Sequence, residues 1–409
     1  MTEARRPRTD SPAVTRGSVA RNGTAVRTLL LALSLSPLAC RAPAPAPPAP
    51  PAVNGAPKSP AAASTDSAKH GPFFYHGRPY GTDAYAGPLD MLFNKGFAVA
   101  QWEGKGRDIF DYPYGWGSVK GSLTQPGYLA RRFGGWKKVI EVQVVPFAEG
   151  GINDSQWVPN YFGHVVEGGI AYRRLREWNE AHHVPLPSVT AVLVNLGTAL
   201  VNEAYENPYD EHLLSKDGNT GTVVDLMLFD PLGILLFHQD GVSRFFAGWL
   251  RASLWPTQAS ITIPDHLLVN NGESIVLKPP IPFVDGARFF IRAGMGLEGG
   301  LSLRRSDGVD VSVGVGQQSR QRWLNPYTTL EWAEFGWSAG IWADRDGTLL
   351  AGLTWDQGTD RRVALNVFPG FLHVAGANIG AWFLVDAAGR PFVGFTTSKM
   401  LGGGLGVGF

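Results

Sequence analysis

The chain has 409 residues, room for two or three domains, and its net charge of +1 leaves no bulk basic field for nucleic acid. Charged residues make up only 17%, against 51 glycines and 13 tryptophans. That balance argues against an ordinary water-facing surface and suits a Gly-rich β protein. The single cysteine, Cys40, excludes an intramolecular disulfide.

The first element in chain order is export-like. Arg5, Arg6, Arg8, Arg16, Arg21 and Arg27 precede the apolar run Leu29–Leu35, which leads to Pro37-Leu38-Ala39-Cys40. A basic stretch, a short apolar stretch and small residues form a secretory signal over residues 1–40. Leu38-Ala39-Cys40 resembles a bacterial lipobox, which implies cleavage before Cys40 and its lipidation. Ordinary cleavage near Ala42-Pro43-Ala44 is the alternative. Residues 41–69 are Pro/Ala-rich, cannot bury a core, and read as a stiff disordered tether.

Residues 70–154 read as an irregular and β segment, with one strand expected over Val139–Pro146. Residues 155–257 read as a helical domain of three or four helices. The first is expected near Trp157–Trp178, with Asn160, His164, Glu167 and Ala171 on one face. The second is expected near Ser188–Glu206, the third over Val223–Phe237 with a bend at Pro231, and the fourth over Val242–Leu254. None has 18 uninterrupted apolar residues, so none is read as a membrane span.

Asn160-Tyr161-Phe162-Gly163-His164, then Gly168-Gly169 and Tyr172, resembles the opening of the bacterial domain-of-unknown-function family numbered 3943. Glu203-Ala204-Tyr205-Glu206 and Thr222-Val223-Val224-Asp225 with Gly233 are similar to its later elements. The order of His, Glu and Asp helices is also similar, more distantly, to small VanZ-like membrane proteins. The resemblance spans about residues 155–240 and implies an envelope setting and a shared polar cluster, without an activity.

His164, Glu203 and Asp225 are the candidate catalytic residues, with Asn160 and Glu206 as further members of the polar cluster. Carboxylates in apolar helices are costly unless paired. The group could serve acid/base chemistry, fix helix register, or bind a divalent ion. No compact ligand motif is present, so neither metal nor other cofactor is assigned.

From about Gln258 the pattern alternates with period two: Val309, Val311, Val313 and Val315, then Val363, Leu365 and Val367, then Ile379, Ala381, Phe383 and Val385. Turn signals stand at Ser306-Asp307-Gly308, Asp344–Gly347 and Asp386–Gly389. Residues 258–409 therefore read as an antiparallel meander with room for about eight to ten strands. The last stretch, Leu401 to Phe409, resembles the recognition strand by which outer-membrane barrels meet their assembly machinery. The expected fold class is α+β, helices followed by a meander forming an outer-membrane-type barrel. A soluble sheet or a barrel around the helices would show the same alternation.

The expected function is that of an outer-membrane-associated envelope protein, structural or binding or passing a small or lipidic ligand, in contact with outer-membrane lipid. One alternative is an envelope enzyme working on lipid or cell-wall substrate through the His/Glu/Asp cluster. Another is a lipid-anchored, periplasm-facing partner of envelope machinery.

Overall fold

The computed structural model describes residues 71–102, 106–145, 160–206, 218–324, 331–357 and 359–409, the side chains of 320–333 apart. The signal-like segment, Cys40 and the Pro/Ala-rich stretch lie outside the described residues. The fold is α+β: helices come first, then one thirteen-stranded, mostly antiparallel sheet.

The described residues of 71–145 form helices and irregular chain, where irregular chain with a strand was expected. Short helices α1 (Gly81–Tyr85) and α2 (Pro88–Met91, continued by a π turn Leu92–Gly96) precede α3 (Trp116–Thr124), α4 (Pro126–Arg132) and α5 (Trp136–Gln143). The strand expected over Val139–Pro146 is thus corrected: Val139–Gln143 is the end of α5, and Pro146 lies outside the described residues. Val139 and Gln143 are buried while Ile140 is exposed. That i, i+4 spacing is a helical face, and Val139 packs on Ala130, Val165, Val224 and Phe229. Tertiary packing overrides the β-branched composition of this stretch.

Three longer helices follow. Helix α6 opens as a π-helical stretch, Asn160–Glu167, and continues as Gly168–Ala181. Helix α7 covers Pro187–Glu206. Helix α8, Thr220–His238, begins at Asn219, whose side chain accepts from the Thr222 amide at 2.7 Å, a standard N-cap. Its irregularity is a π turn at Asp225–Phe229, just before Pro231. Proline has no N–H and crowds the preceding turn, and a wider turn relieves both. By length and composition α8 could cross a membrane, yet it is mostly buried. Helix α9 (Asp240–Arg244) ends in a π turn at Phe245–Trp249, short of the expected Leu254, because the first strand starts at Ser253.

The strands are β1 (Ser253–Pro256), β2 (Ser260–Thr262), β3 (Leu268–Val269), β4 (Glu273–Leu277), β5 (Ala287–Ala293), β6 (Gly296–Arg304), β7 (Asp310–Leu324), β8 (Glu331–Arg345), β9 (Thr348–Asp356), β10 (Arg361–Val374), β11 (Ala377–Asp386), β12 (Pro391–Thr397) and β13 (Gly404–Gly408). The excess over eight to ten comes from β1–β4, which have only two to five residues each. From β4 to β13 each strand pairs with the next, antiparallel throughout. The three turn signals fall at the junctions β6–β7, β8–β9 and β11–β12, two of them beginning in the last residues of β8 and β11. At one of them Asp346 and Gly347 both take positive φ, 49° and 85°, the requirement of a tight two-residue hairpin.

The two ends of the sheet are connected by chain rather than by a ladder. Strand β13 pairs parallel with β2, β2 pairs with β3, and β1 pairs with β4. Residues 257–259 join β1 to β2 and residues 270–272 join β3 to β4. The Thr257 amide donates to the Gly272 carbonyl at 2.7 Å between these two links.

The faces of the sheet have opposite characters. On one face, Phe289, Leu301, Val313, Ile341, Leu353, Leu365, Phe383, Val393 and Val407 are successive cross-strand partners from β5 to β13. All are exposed, between 37% and 54%. The other face buries Arg288, Glu298, Ser302, Asp310, Ser312, Asp344, Asn366, Asp386 and Thr396. Aromatic residues share this inner face. Phe290 and Trp342 stack with centroids 5.0 Å apart, in space left by Gly314, where a Cβ would meet Phe290 at 2.9 Å. Helix α1 enters here: Tyr85 packs with Trp255, Val276, Phe290, Trp342, Leu349 and Phe368. The longer helices meet the sheet at β1 and β4, through Leu254 and Ile275.

Candidate functional site

The helix crossing that builds the site depends on three glycines. A Cβ on Gly169 would lie 2.8 Å from the Gly233 carbonyl oxygen, and one on Gly233 would lie 2.8 Å from that of His164. The absence of side chains lets α6 and α8 touch backbone to backbone. Gly168, beside them, leaves room for the Lys95 ammonium. This close approach carries His164, on the π stretch of α6, onto the π turn of α8.

There His164 is held between two aspartates. Its Nδ1 lies 3.1 Å from Asp230 Oδ1 and its Nε2 lies 3.8 Å from Asp225 Oδ2. Glu203 of α7 completes the group: ligand-type atoms of His164, Glu203 and Asp225 all lie within 4.8 Å of one another. The Thr222 hydroxyl donates to Glu203 Oε2 at 2.5 Å. Glu203, Asp225 and Asp230 are buried, and the His164 side chain is 22% exposed.

The electrostatics follow from this crowding. Burial opposes charge on His164, but Asp225, Asp230 and Glu203 outweigh it and hold the imidazole up at about 10. Burial pushes Asp225 up to about 8, with Glu203 and Asp230 adding to the rise and His164 opposing it. Burial would also raise Asp230, but the charge and hydrogen bond of His164 pull it below the usual carboxylate range. Asp230 is thus the ionised partner of an imidazolium, and Asp225 holds a proton near neutrality. Asp225 Oδ1 and Asp230 Oδ2 are buried without a hydrogen-bond partner among the described residues.

Of the expected site residues, the structure brings together His164, Glu203 and Asp225. Asn160 is turned away, and its amide donates to the Gln143 carbonyl at 2.8 Å. The face predicted to carry Asn160 with His164 assumes α spacing, which the π geometry of Asn160–Glu167 breaks. Glu206, the last residue of α7, is outside the group within 4.8 Å. Sequence reasoning placed Asp230 in α8 without giving it a role. Asp225 and Asp230 are five residues apart, which brings them to one side only where the turn is π-helical. It also missed Lys95, which is buried, donates to Asn195 Oδ1 at 3.2 Å and lowers the pKa of Asp230.

Apart from this site, a concave space of about 230 Å³ lies where α9 meets the sheet and is lined by Arg174, Arg251, Lys278, Arg288, Arg304 and Asp310, among others. Four of these five cations are paired: Arg174 with Asp90, Lys278 with Asp344 and Asp310, Arg288 with Asp310, and Arg304 with Asp346. Comparison with known proteins finds no matching family model, no similar curated sequence and no similar solved structure.

Proposed function

We propose that the protein is an outer-membrane β-barrel of the bacterial envelope, its interior occupied by α1 and by charged and aromatic side chains, with the α6–α9 helices at one end. The observation that carries this reading is the inverted sheet: an unbroken apolar row faces outward across nine strands while charged groups are buried inside. A sheet in water hides its apolar face, and a sheet in lipid presents it. Trp337 and Trp355 on the outer face add the aromatic character of such surfaces. The chain path supports closure. If β1 and β2 are taken as one kinked strand, the ladder running from β4 to β13 returns through β2 and β1 to β4. Membrane sheets need such a circuit because an open edge in lipid leaves backbone groups unsatisfied. The export-like N-terminus with Cys40 and the resemblance to the family numbered 3943 agree with an envelope setting. The packed interior favours a structural or ligand-holding role over an open channel.

The test is mobility on a detergent gel with and without boiling. A detergent-resistant closed barrel shifts on boiling, and identical mobility would overturn the reading. One observation favours the alternative of an envelope enzyme on lipid or cell-wall substrate: Asp230 orients His164 in the manner of a catalytic dyad. That alternative requires His164→Ala to abolish hydrolysis of phospholipid or peptidoglycan while the barrel persists.

A further inference from the structure

We propose that His164, Glu203 and Asp225 bind one divalent cation of the zinc or manganese class. The three residues come from three different helices, so their convergence is not a by-product of local sequence. The 3.8 Å between His164 Nε2 and Asp225 Oδ2 is too long for a hydrogen bond. It suits two ligands sharing one ion at about 2.0–2.2 Å each.

The surroundings match those of a metal-bound histidine. Such a residue gives its other ring N–H to a carboxylate, which directs the remaining lone pair at the ion. Asp230 Oδ1 accepts from Nδ1 at 3.1 Å and leaves Nε2 toward Asp225, with a Glu203 oxygen in the same group of atoms. Thr222 holds Glu203 in the same way. Asp225 Oδ1 supplies the independent sign. It is buried and has no hydrogen-bond partner among the described residues, and a buried carboxylate oxygen is costly without one. A cation held by both oxygens of the Asp225 carboxylate, of which Oδ2 lies toward His164 Nε2, would satisfy it. An imidazole with two carboxylates selects borderline transition metals over calcium or magnesium, which take oxygen donors. Three protein ligands leave a fourth position for water or a substrate oxygen.

The inference is independent of the membrane reading, since it uses only the helices. The experiment uses the full chain folded in detergent, stripped with EDTA, dialysed and titrated calorimetrically with Zn²⁺ and Mn²⁺. Metal content is then counted by mass spectrometry. One ion per chain is expected, with affinity reduced about 10- to 100-fold in Asp230→Asn, the range for loss of an outer-shell partner. Binding should be lost in His164→Gln/Asp225→Asn. No retained ion in the folded wild type, or unchanged stoichiometry in the folded double variant, would overturn the proposal. If the double variant does not fold, Co²⁺ on the wild type decides. Paramagnetic shifts of the His164 ring protons support the site, and their absence at full Co²⁺ loading refutes it.

Discussion

The outward row offers a quantitative test of where the sheet resides. Ile341 sits near its middle, paired with Val313 on one side and Leu353 on the other, and is 52% exposed. In water, Ile341→Arg at such a site would change stability by about 0.5 kcal/mol or less. At the centre of a bilayer the same change costs about 2–4 kcal/mol, falling to about 0–1 near the interfaces. Phe335 lies six residues away on the same strand and the same face, 58% exposed. At about 3.4 Å per residue that is roughly 20 Å along the strand. With a tilt of about 40° it is about 15 Å along the normal, outside the half-height of a ~25 Å apolar band. Urea titration of the full chain folded into phospholipid vesicles measures both variants. The expected result is a loss of about 3 kcal/mol at Ile341, roughly a hundredfold in the folding equilibrium, and less than 1 at Phe335→Arg. Equal losses below 0.5 kcal/mol at both positions would refute the lipid-facing assignment.

Three further outcomes can be measured. Lys278 is 2% exposed and lies between Asp344, at 2.5 Å, and Asp310, at 3.2 Å. Lys278→Met should cost about 3–5 kcal/mol in urea unfolding by stranding buried carboxylates, with part of the loss recovered by adding Asp344→Asn. Gly233→Ala would place a methyl against the His164 and Val165 carbonyls. It should cost about 1–3 kcal/mol in thermal unfolding and lower the His164 titration by parting the ring from its aspartates. The His164 pKa, raised to about 10 from 6.5, makes a stabilising contribution that is complete below pH 6.5 and lost as pH rises through about 10. A stability profile of metal-free protein should fall over that window and flatten in His164→Gln. An unchanged profile in the variant would show that the ring is not so coupled.

Much of this was legible in the residues. Period two in Val309–Val315 and Ile379–Val385 marked strands, and Asp346-Gly347 marked a hairpin, because both patterns are local. Alternation cannot say which face is inside. The same period describes an apolar core or an apolar exterior, and only the packing of Tyr85 and the buried Lys278 and Asp344 distinguishes them. The trio His164, Glu203 and Asp225 was recoverable because buried charge in apolar helices demands partners. Asp230 and the exclusion of Asn160 were not, because π turns alter the angular spacing without a composition cue. Val139–Pro146 misled because β-branched residues fit a helix whenever the neighbouring helices supply the cavity for Val139.

The parallel contact of β13 with β2 has a consequence for biogenesis. Residues more than 140 positions apart, Ser260 and Gly404, must meet before either strand has a complete set of neighbours. Assembly therefore waits on β13, and β2 and β3 cannot join the main sheet without it. Deleting Gly404–Phe409 removes a partner from β12 and β2 at once. It should leave two raw edges that invite association with other chains.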